Sequence, residues 1–337
     1  MANLIEKIWF ERHPAGWALA PVFWPLSKLF GWISRRRRHA FQSGKKVAYR
    51  ASVPVVVVGN ITAGGNGKTP VVIWLVEQLQ AQGVAVGVVS RGYGGKSDHY
   101  PLRLSERTTT AEAGDEPVLI ASRTCAPVVV SPNRSEAVQM LEKDVDVIIT
   151  DDGLQHYALA RDIEIVVIDG QRRFGNEQLI PMGPLRERCD RLSEVDFLIC
   201  NGGDTRHNEI AMHLEPGELV NLLTGERRTP SSLQKVVAMA GIGHPPRFFA
   251  TLNTLGVTPV HCQPFPDHQA FEASELETLA EQGEHLVMTE KDAVKCQAFA
   301  RQNWWYLPVD AKLSEPQSIE LLNKIIEVKE EYGSPSA

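Results

Sequence analysis

The stretch Gly59-Asn60-Ile61-Thr62-Ala63-Gly64-Gly65-Asn66-Gly67-Lys68-Thr69 follows an apolar run, Val53–Gly59, and opens a segment of helical pattern, Gly67–Gln82. Glycines at 64, 65 and 67 let successive backbone N–H groups turn onto one ligand. A helix N-terminus behind them adds a partial positive charge, so the ligand that fits is a phosphate. Thr62, Ala63, Gly64, Gly65, Asn66, Gly67, Lys68 and Thr69 are therefore the candidate ATP-binding residues. Lys68 is placed to reach the β- and γ-phosphates, and the Thr69 hydroxyl to ligate Mg²⁺. The usual spacing asks for glycine at position 62, where this chain has Thr62.

Such a loop needs a carboxylate at the end of a neighbouring buried strand, where ligands of parallel sheets bind. The run Val145-Asp146-Val147-Ile148-Ile149-Thr150-Asp151-Asp152-Gly153 supplies Asp151 and Asp152. These are candidate Mg²⁺ ligands, or a polar turn before Gly153. A guanine-specific Asn-Lys-x-Asp is missing. Thr289-Glu290-Lys291-Asp292 has the wrong order, which disfavours a GTPase.

These residues must be held by a parallel α/β framework. Strand-like runs recur at 53–59, 84–90, 126–131, 145–150, 163–169 and 195–201, with helical patterns at 67–82 and 134–143. Their near-continuous Val and Ile content predicts burial on both faces, with helices on both sides. The pattern weakens at 213–234, where Pro and Gly suggest a β-hairpin linker. A second, smaller α/β unit follows, with strands at 236–242, 257–263 and 285–289. The predicted fold class is α/β. It has two α/β/α domains, the first P-loop NTPase-like with a mostly parallel sheet, joined by a short β linker. The segmentation is 1–40 membrane-docking helix, 41–212 kinase-type domain, 213–234 linker, 235–312 smaller domain and 313–337 C-terminal helix.

Composition narrows the setting. The chain has 337 residues, 43% hydrophobic and 23% charged, with a net charge of −6. That is globular, and it excludes a global basic field for nucleic acid. The five cysteines are scattered, with no Cys-x-x-Cys pair, which argues against a disulfide framework and a structural zinc site. The N-terminus stands apart. Trp9, Phe10, Trp17, Phe23, Trp24, Phe30 and Trp32 precede Arg35-Arg36-Arg37-Arg38. The positive charge follows the apolar part, the reverse of a secretory signal. Pro21, Pro25 and Lys28 interrupt a span. An amphipathic helix lying in the headgroup layer is favoured over one packed on the protein's own core or one crossing the membrane.

Seven motifs in order carry a family resemblance: the phosphate loop, Ser90-Arg91-Gly92-Tyr93-Gly94, Gly114-Asp115-Glu116-Pro117, Asp151-Asp152-Gly153-Leu154-Gln155-His156, Pro181-Met182-Gly183-Pro184-Leu185-Arg186-Glu187, Phe265-Pro266-Asp267-His268 and Thr289-Glu290-Lys291-Asp292-Ala293-Val294-Lys295. Together, over nearly the whole chain, they resemble the tetraacyldisaccharide 4′-kinase family of lipid A biosynthesis. The resemblance implies ATP- and Mg²⁺-dependent phosphorylation of the 4′-hydroxyl of a tetraacyl-glucosamine disaccharide 1-phosphate. It implies a peripheral enzyme at the cytoplasmic face of the bacterial inner membrane, with the lipid disaccharide and that membrane surface as partners and no nucleic acid. It also makes Thr62 a normal feature.

By the same resemblance Asp115 is the catalytic base, His268 its partner and Lys68 part of the catalytic set. A carboxylate suits proton removal from a sugar hydroxyl; the local alternative for Asp115 is a helix N-cap ahead of Pro117. Glu116 and Asp152 are candidates for the metal shell. Arg91, Arg134 and Arg186 are candidates for phosphate contacts or, equally, for surface ion pairs. Tyr93 is a candidate for stacking on a sugar or for plain packing, and Glu187 for a substrate contact. His156 reads as structural or as a support behind the site residues, and Asp267 as a cap. Asp115 and His268 fall in different predicted domains, which predicts a hinge that brings them together. A kinase for a soluble acceptor and a membrane-docked ATPase remain as rivals, separable by truncating residues 1–40 and by acceptor-stimulated ADP release.

Overall fold

The computed structural model describes residues 2–11 and 13–333. The chain divides into two compact units, one of Met1–Arg91, Asn133–His213 and Leu313–Ala337, the other of Gly92–Pro132 and Leu214–Lys312.

In the first unit, six strands run parallel in the order Glu209–Pro216, Phe197–Asn201, Ile163–Asp169, Val55–Gly59, Val147–Asp151 and Val86–Ser90. Val55–Gly59 is central and buried throughout, as expected of a Val-rich strand covered on both faces. The helix Lys68–Ala81 starts after Gly67 and buries Val71, Val72, Leu75, Val76 and Leu79. The helix Arg134–Leu141 buries Ala137, Val138 and Leu141. The C-terminal helix Gln317–Gly333 belongs to this unit and buries Leu321, Leu322, Ile325 and Val328.

The second unit has a six-stranded sheet in the order Arg227–Arg228, Leu219–Asn221, Trp304–Leu307, His285–Thr289, Val236–Ala240 and His261–Pro264. Side chains along Val236–Ala240 alternate between two cores. Val236, Ala238 and Ala240 meet Phe248 and Leu252 of the helix Pro245–Thr254. Val237 and Met239 meet Leu276 and Leu279 of Ala273–Ala280, and Ala293 and Cys296 of Glu290–Cys296. Period-two alternation between two apolar cores is the mark of a sheet covered on both faces.

Two expectations change. The residues assigned to a linker instead join this sheet, for Leu219–Asn221 pairs antiparallel with both Arg227–Arg228 and Trp304–Leu307. Gly92–Pro132, expected in the first domain, groups with the second unit. Its Leu102–Arg103 pairs with Val128–Val130. Its helix Asp115–Thr124 is fastened to Glu290–Cys296 by Arg123, whose Nη1 donates to both Glu290 oxygens at 3.1 and 2.9 Å.

At the N-terminus, Ala15–Gln42 is one 28-residue helix that passes through Pro21 and Pro25 without a break. The expected amphipathic helix is present, and the prolines lie within it. Each forfeits one backbone hydrogen bond, and the helix continues across both. Its buried residues are small: Gly16, Ser27 and Gly31. A Cβ at Gly31 would lie 2.5 Å from Leu179 Cδ1. The large side chains point outward, with Trp17, Val22, Trp24, Leu26, Leu29, Trp32 and Ile33 all exposed. Among the described residues no helix is long and apolar enough to cross a membrane.

Candidate active site

The phosphate loop is cross-tied along its length. Gly64 and Gly67 hold φ of 106° and 90°, a region that favours glycine. A Cβ at Gly67 would lie 2.4 Å from Asn201 Nδ2. That amide donates to Asn66 O at 3.0 Å. Asn66 Nδ2 in turn donates to Thr62 Oγ1 at 2.7 Å and to Val167 O at 3.3 Å. Thr62, buried and without a positive φ, therefore has work a glycine could not do: its hydroxyl braces the loop from inside. Ala63 N donates to Pro184 O at 2.7 Å, and Arg172 Nη2 to Gly65 O at 2.8 Å. Arg172 is itself held by Asp169 at 3.0 Å. Asn201, Asp169 and Arg172 went unread in the sequence because each lies over a hundred residues from the loop it supports.

Lys68 Nζ lies 3.5 Å from Asp152 Oδ1. Arg186 Nη1 donates to both Asp152 oxygens, at 3.0 and 2.9 Å. Burial works to raise the Asp152 pKa, but the Lys68 and Arg186 charges outweigh it and hold the carboxyl well below the usual range. Arg134 is buried and donates to Asp151 O at 3.4 Å and Asp152 O at 2.7 Å, so it shapes the strand end. Asp151 is buried, as is Thr69. Arg91 is exposed. Glu187, a candidate substrate contact, is instead buried and engaged. It accepts from Gln155 Nε2 at 2.8 Å and Tyr157 OH at 2.6 Å. Gln155 Nε2 also donates to Asn60 O at 3.0 Å, so Glu187 acts as a brace behind the loop.

The second cluster lies wholly within the second unit. His268 Nδ1 stands 3.0 and 3.1 Å from the two Asp115 oxygens. An ionised carboxylate only accepts, so Nδ1 carries the proton. Both residues belong to one compact unit, so no hinge is needed to join them, contrary to the expectation from sequence. Asp115 is the first residue of its helix, while Gly114 holds the N-cap position. Its Oδ1 accepts from Glu116 N at 2.9 Å, so a terminal helix role and the His268 bond coexist. Burial works to raise the Asp115 pKa, but the His268 bond and the Lys291 charge prevail and lower it. Burial works to lower the His268 pKa, and the Asp115 bond prevails and raises it. Tyr93 meets the His268 ring edge-on, centroids 4.9 Å apart, and stays 63% exposed, leaving a ring face open. The Glu116 carboxylate accepts from Lys291 Nζ at 3.1 Å. Lys291 had no role in the sequence reading, although its motif was noted.

A parallel α/β framework carrying a braced glycine loop with a lysine–carboxylate pair, and an aspartate–histidine pair on a separate helix start, defines an α/β kinase. The sequence matches the tetraacyldisaccharide-1-P 4′-kinase family over residues 19–327, and the chain belongs to that family. It is 70% identical to the tetraacyldisaccharide 4′-kinase of Photobacterium profundum, with all of both chains covered. It is 63% identical to that of a Vibrio cholerae serotype O1 strain, covering 99% of this chain and 100% of the relative. The fold is similar to the crystal structure of LpxK from Aquifex aeolicus in complex with ATP, at 28% identity and a TM-score of 0.75 over 93% of this chain and 99% of that one. The protein is thus an ATP-dependent phosphotransferase acting on a lipid A precursor.

Proposed function

We propose that the protein transfers the γ-phosphoryl group of ATP to the 4′-hydroxyl of a tetraacyl-glucosamine disaccharide 1-phosphate, with Asp115 as the base. The observation that carries this reading is the buried Asp115 carboxylate, bonded to His268 Nδ1 and kept ionised. The acceptor hydroxyl gives its proton to Asp115. Its oxygen bonds to the γ-phosphorus, the bond to the β-phosphate oxygen breaks, and ADP leaves. His268 orients the carboxylate and offsets its charge. Tyr93 supplies an aromatic face for a sugar ring. Lys68 and the loop N–H groups hold the β- and γ-phosphates, and Arg186 steadies Asp152 beside Lys68.

Thr69, Asp151 and Asp152 would hold Mg²⁺. The donors are all oxygens, the set a hard cation takes, and no cluster of three or more His, Cys, Asp or Glu side chains forms a closed cage among the described residues. That fits an ion that draws its remaining ligands from phosphate and water. When bound, Mg²⁺ neutralises charge on the phosphate oxygens. The outward tryptophans of Ala15–Gln42, followed by the arginine run, support docking in the headgroup layer of the cytoplasmic leaflet.

The test is transfer of labelled γ-phosphate from ATP to the tetraacyl disaccharide 1-phosphate by the purified protein. Labelled lipid with wild type and none with Lys68→Ala is expected. ADP release that does not depend on the lipid would refute the reading.

A further inference from the structure

We propose that Lys291 is a positioning residue for phosphoryl transfer: its ammonium, set among Asp115, Glu116 and Asp267, supplies the counter-charge for the base and pins the loop that carries His268. The inference rests on the reading of Asp115 as the base.

Lys291 lies in the short helix Glu290–Cys296, one turn before Lys295 on the same face. Its Nζ is 3.1 Å from Glu116 Oε1, 3.2 Å from Asp267 Oδ1 and 3.8 Å from Asp115 Oδ2. Three carboxylates this close repel one another unless a cation stands between them. The three distances are not equivalent. Glu116 and Asp267 lie within hydrogen-bond reach and take ammonium protons. Asp115 lies beyond it and feels the charge through space. The base thus gains a stabilising charge without a lysine donor seated on Oδ2, which shares the His268 Nδ1 proton at 3.1 Å and keeps a lone pair for a substrate proton.

The second task is mechanical. His268 holds a φ of 61°, a left-handed conformation uncommon for a residue other than glycine. Its N–H donates to Asp267 Oδ1 at 3.1 Å, the same oxygen that Lys291 grips. On the far side, Lys295 Nζ donates to Gln269 O at 3.1 Å and pairs with Asp292 at 2.7 Å. Two lysines from one helix face therefore clamp the loop before and after His268, and the clamp fixes the ring that bonds Asp115.

The charged and titratable groups around Asp115 are Glu116 on its own helix, Asp267 and His268 on the loop, Lys291, Lys295 and Asp292 on the facing helix, and Tyr93. The two lysines are the permanent cations in this set. Asp115 must be ionised to act, so turnover rises with pH through its pKa. Loss of the Lys291 charge raises that pKa and moves the acidic limb of the rate profile to higher pH.

The experiment measures kcat and KM for ATP across the pH range for wild type, Lys291→Met, Lys291→Arg, Asp115→Ala and the double variant Asp115→Ala/Lys291→Met. The expected result for Lys291→Met is a kcat about 100-fold lower, an ATP KM within about twofold of wild type, and an acidic limb shifted upward. Lys291→Arg restores the limb position. The double variant is no slower than Asp115→Ala alone, because Lys291 acts through Asp115. An unshifted limb, or a double variant slower by the full Lys291→Met factor, overturns the proposal. Should Lys291→Met fail to fold, Asp267→Ala removes the tether alone. About a tenfold loss of kcat at constant ATP KM is then expected, and no loss overturns the proposal. Near-wild-type turnover by Asp115→Ala removes the base reading and this inference with it, whereas an inactive Asp115→Ala with an additive double variant removes this inference only.

Discussion

Asp115→Asn keeps the size of the side chain and removes its ability to take a proton. A positioned general base contributes about 10²- to 10⁴-fold to a rate. At ~1.36 kcal/mol per decade, the barrier rises by about 2.7–5.4 kcal/mol. The loss should fall on kcat, because the partners of Asp115 are His268, Lys291 and Glu116 N, none of which is a residue of the phosphate loop. Stability changes too, and its pH dependence has a definite sign. The folded carboxyl is held below its unfolded pKa, so the charged form stabilises the fold above the unfolded value near ~3.9. That stabilisation is lost as pH falls through the lower folded pKa. A charge-assisted hydrogen bond of this kind is worth about 1.5–3 kcal/mol. Wild type should therefore exceed Asp115→Asn by about that amount at pH 7, and the gap should close in acid. Lipid-dependent ADP release gives the kinetic terms, and urea unfolding at neutral and acidic pH gives the stability. A kcat loss below about tenfold, or a loss carried by the ATP KM, would refute the assignment of Asp115 as the base.

Gly67→Ala forces a φ of 90° on an L-residue and puts a methyl 2.4 Å from Asn201 Nδ2. Strain plus the displaced Asn201–Asn66 hydrogen bond amounts to about 2–3 kcal/mol, or roughly 30- to 150-fold in ATP affinity by calorimetry, and unchanged affinity would count against the loop geometry. Trp24→Glu with Trp32→Glu removes two exposed anchors, 54% and 53% accessible, each worth about 1.5–3 kcal/mol on insertion. Partition onto anionic vesicles should drop by about 100-fold or more, with the residual binding sensitive to salt, and equal partition would assign the face another role. Burial, and then the Arg134 and Arg161 charges, lower the His156 pKa to about 4. The unfolded chain then binds the extra proton first, so stability declines as pH falls from the ordinary histidine value toward about 4; His156→Gln should flatten that decline in urea titrations, and an unchanged slope would show that His156 is not its source.

The parts of this fold that could be read in sequence were those with local signatures. Val55–Gly59 is a continuous Val run and Lys68–Ala81 begins at its glycine, so strand, loop and helix fell within a residue or two of expectation. Ile163–Asp169 and His285–Thr289 matched at both ends. Pairing was not local. Trp304–Leu307 is a buried strand with no flanking glycine and escaped notice. Gly92–Pro132 carries no composition shift that betrays its membership in the second unit; what ties it there is the Arg123–Glu290 ion pair between residues 167 apart.

The candidate site divides along the same line. The glycine loop announces itself because its function lies in consecutive backbone groups. Asp115 by its neighbours alone reads equally well as a helix cap, and in the fold it sits at the helix start and holds His268 as well. The base role proposed for it draws on charge delivered from residues 153 and more positions away. Lys291 shows why such groups are missed. On its short helix it looks like any solvent-facing lysine, with Glu290 and Asp292 beside it. Its side chain is 16% exposed and ringed by carboxylates, and nothing in the residues flanking it encodes that. The N-terminal helix inverts the problem. Its aromatic residues would be read as core on any globular chain, yet glycine and serine occupy the inward face and the tryptophans point out. A core helix buries its largest side chains because burial is worth most for them. A helix that buries its smallest and exposes its largest is what the proposed docking predicts, and the arginines at its end suit an anionic surface.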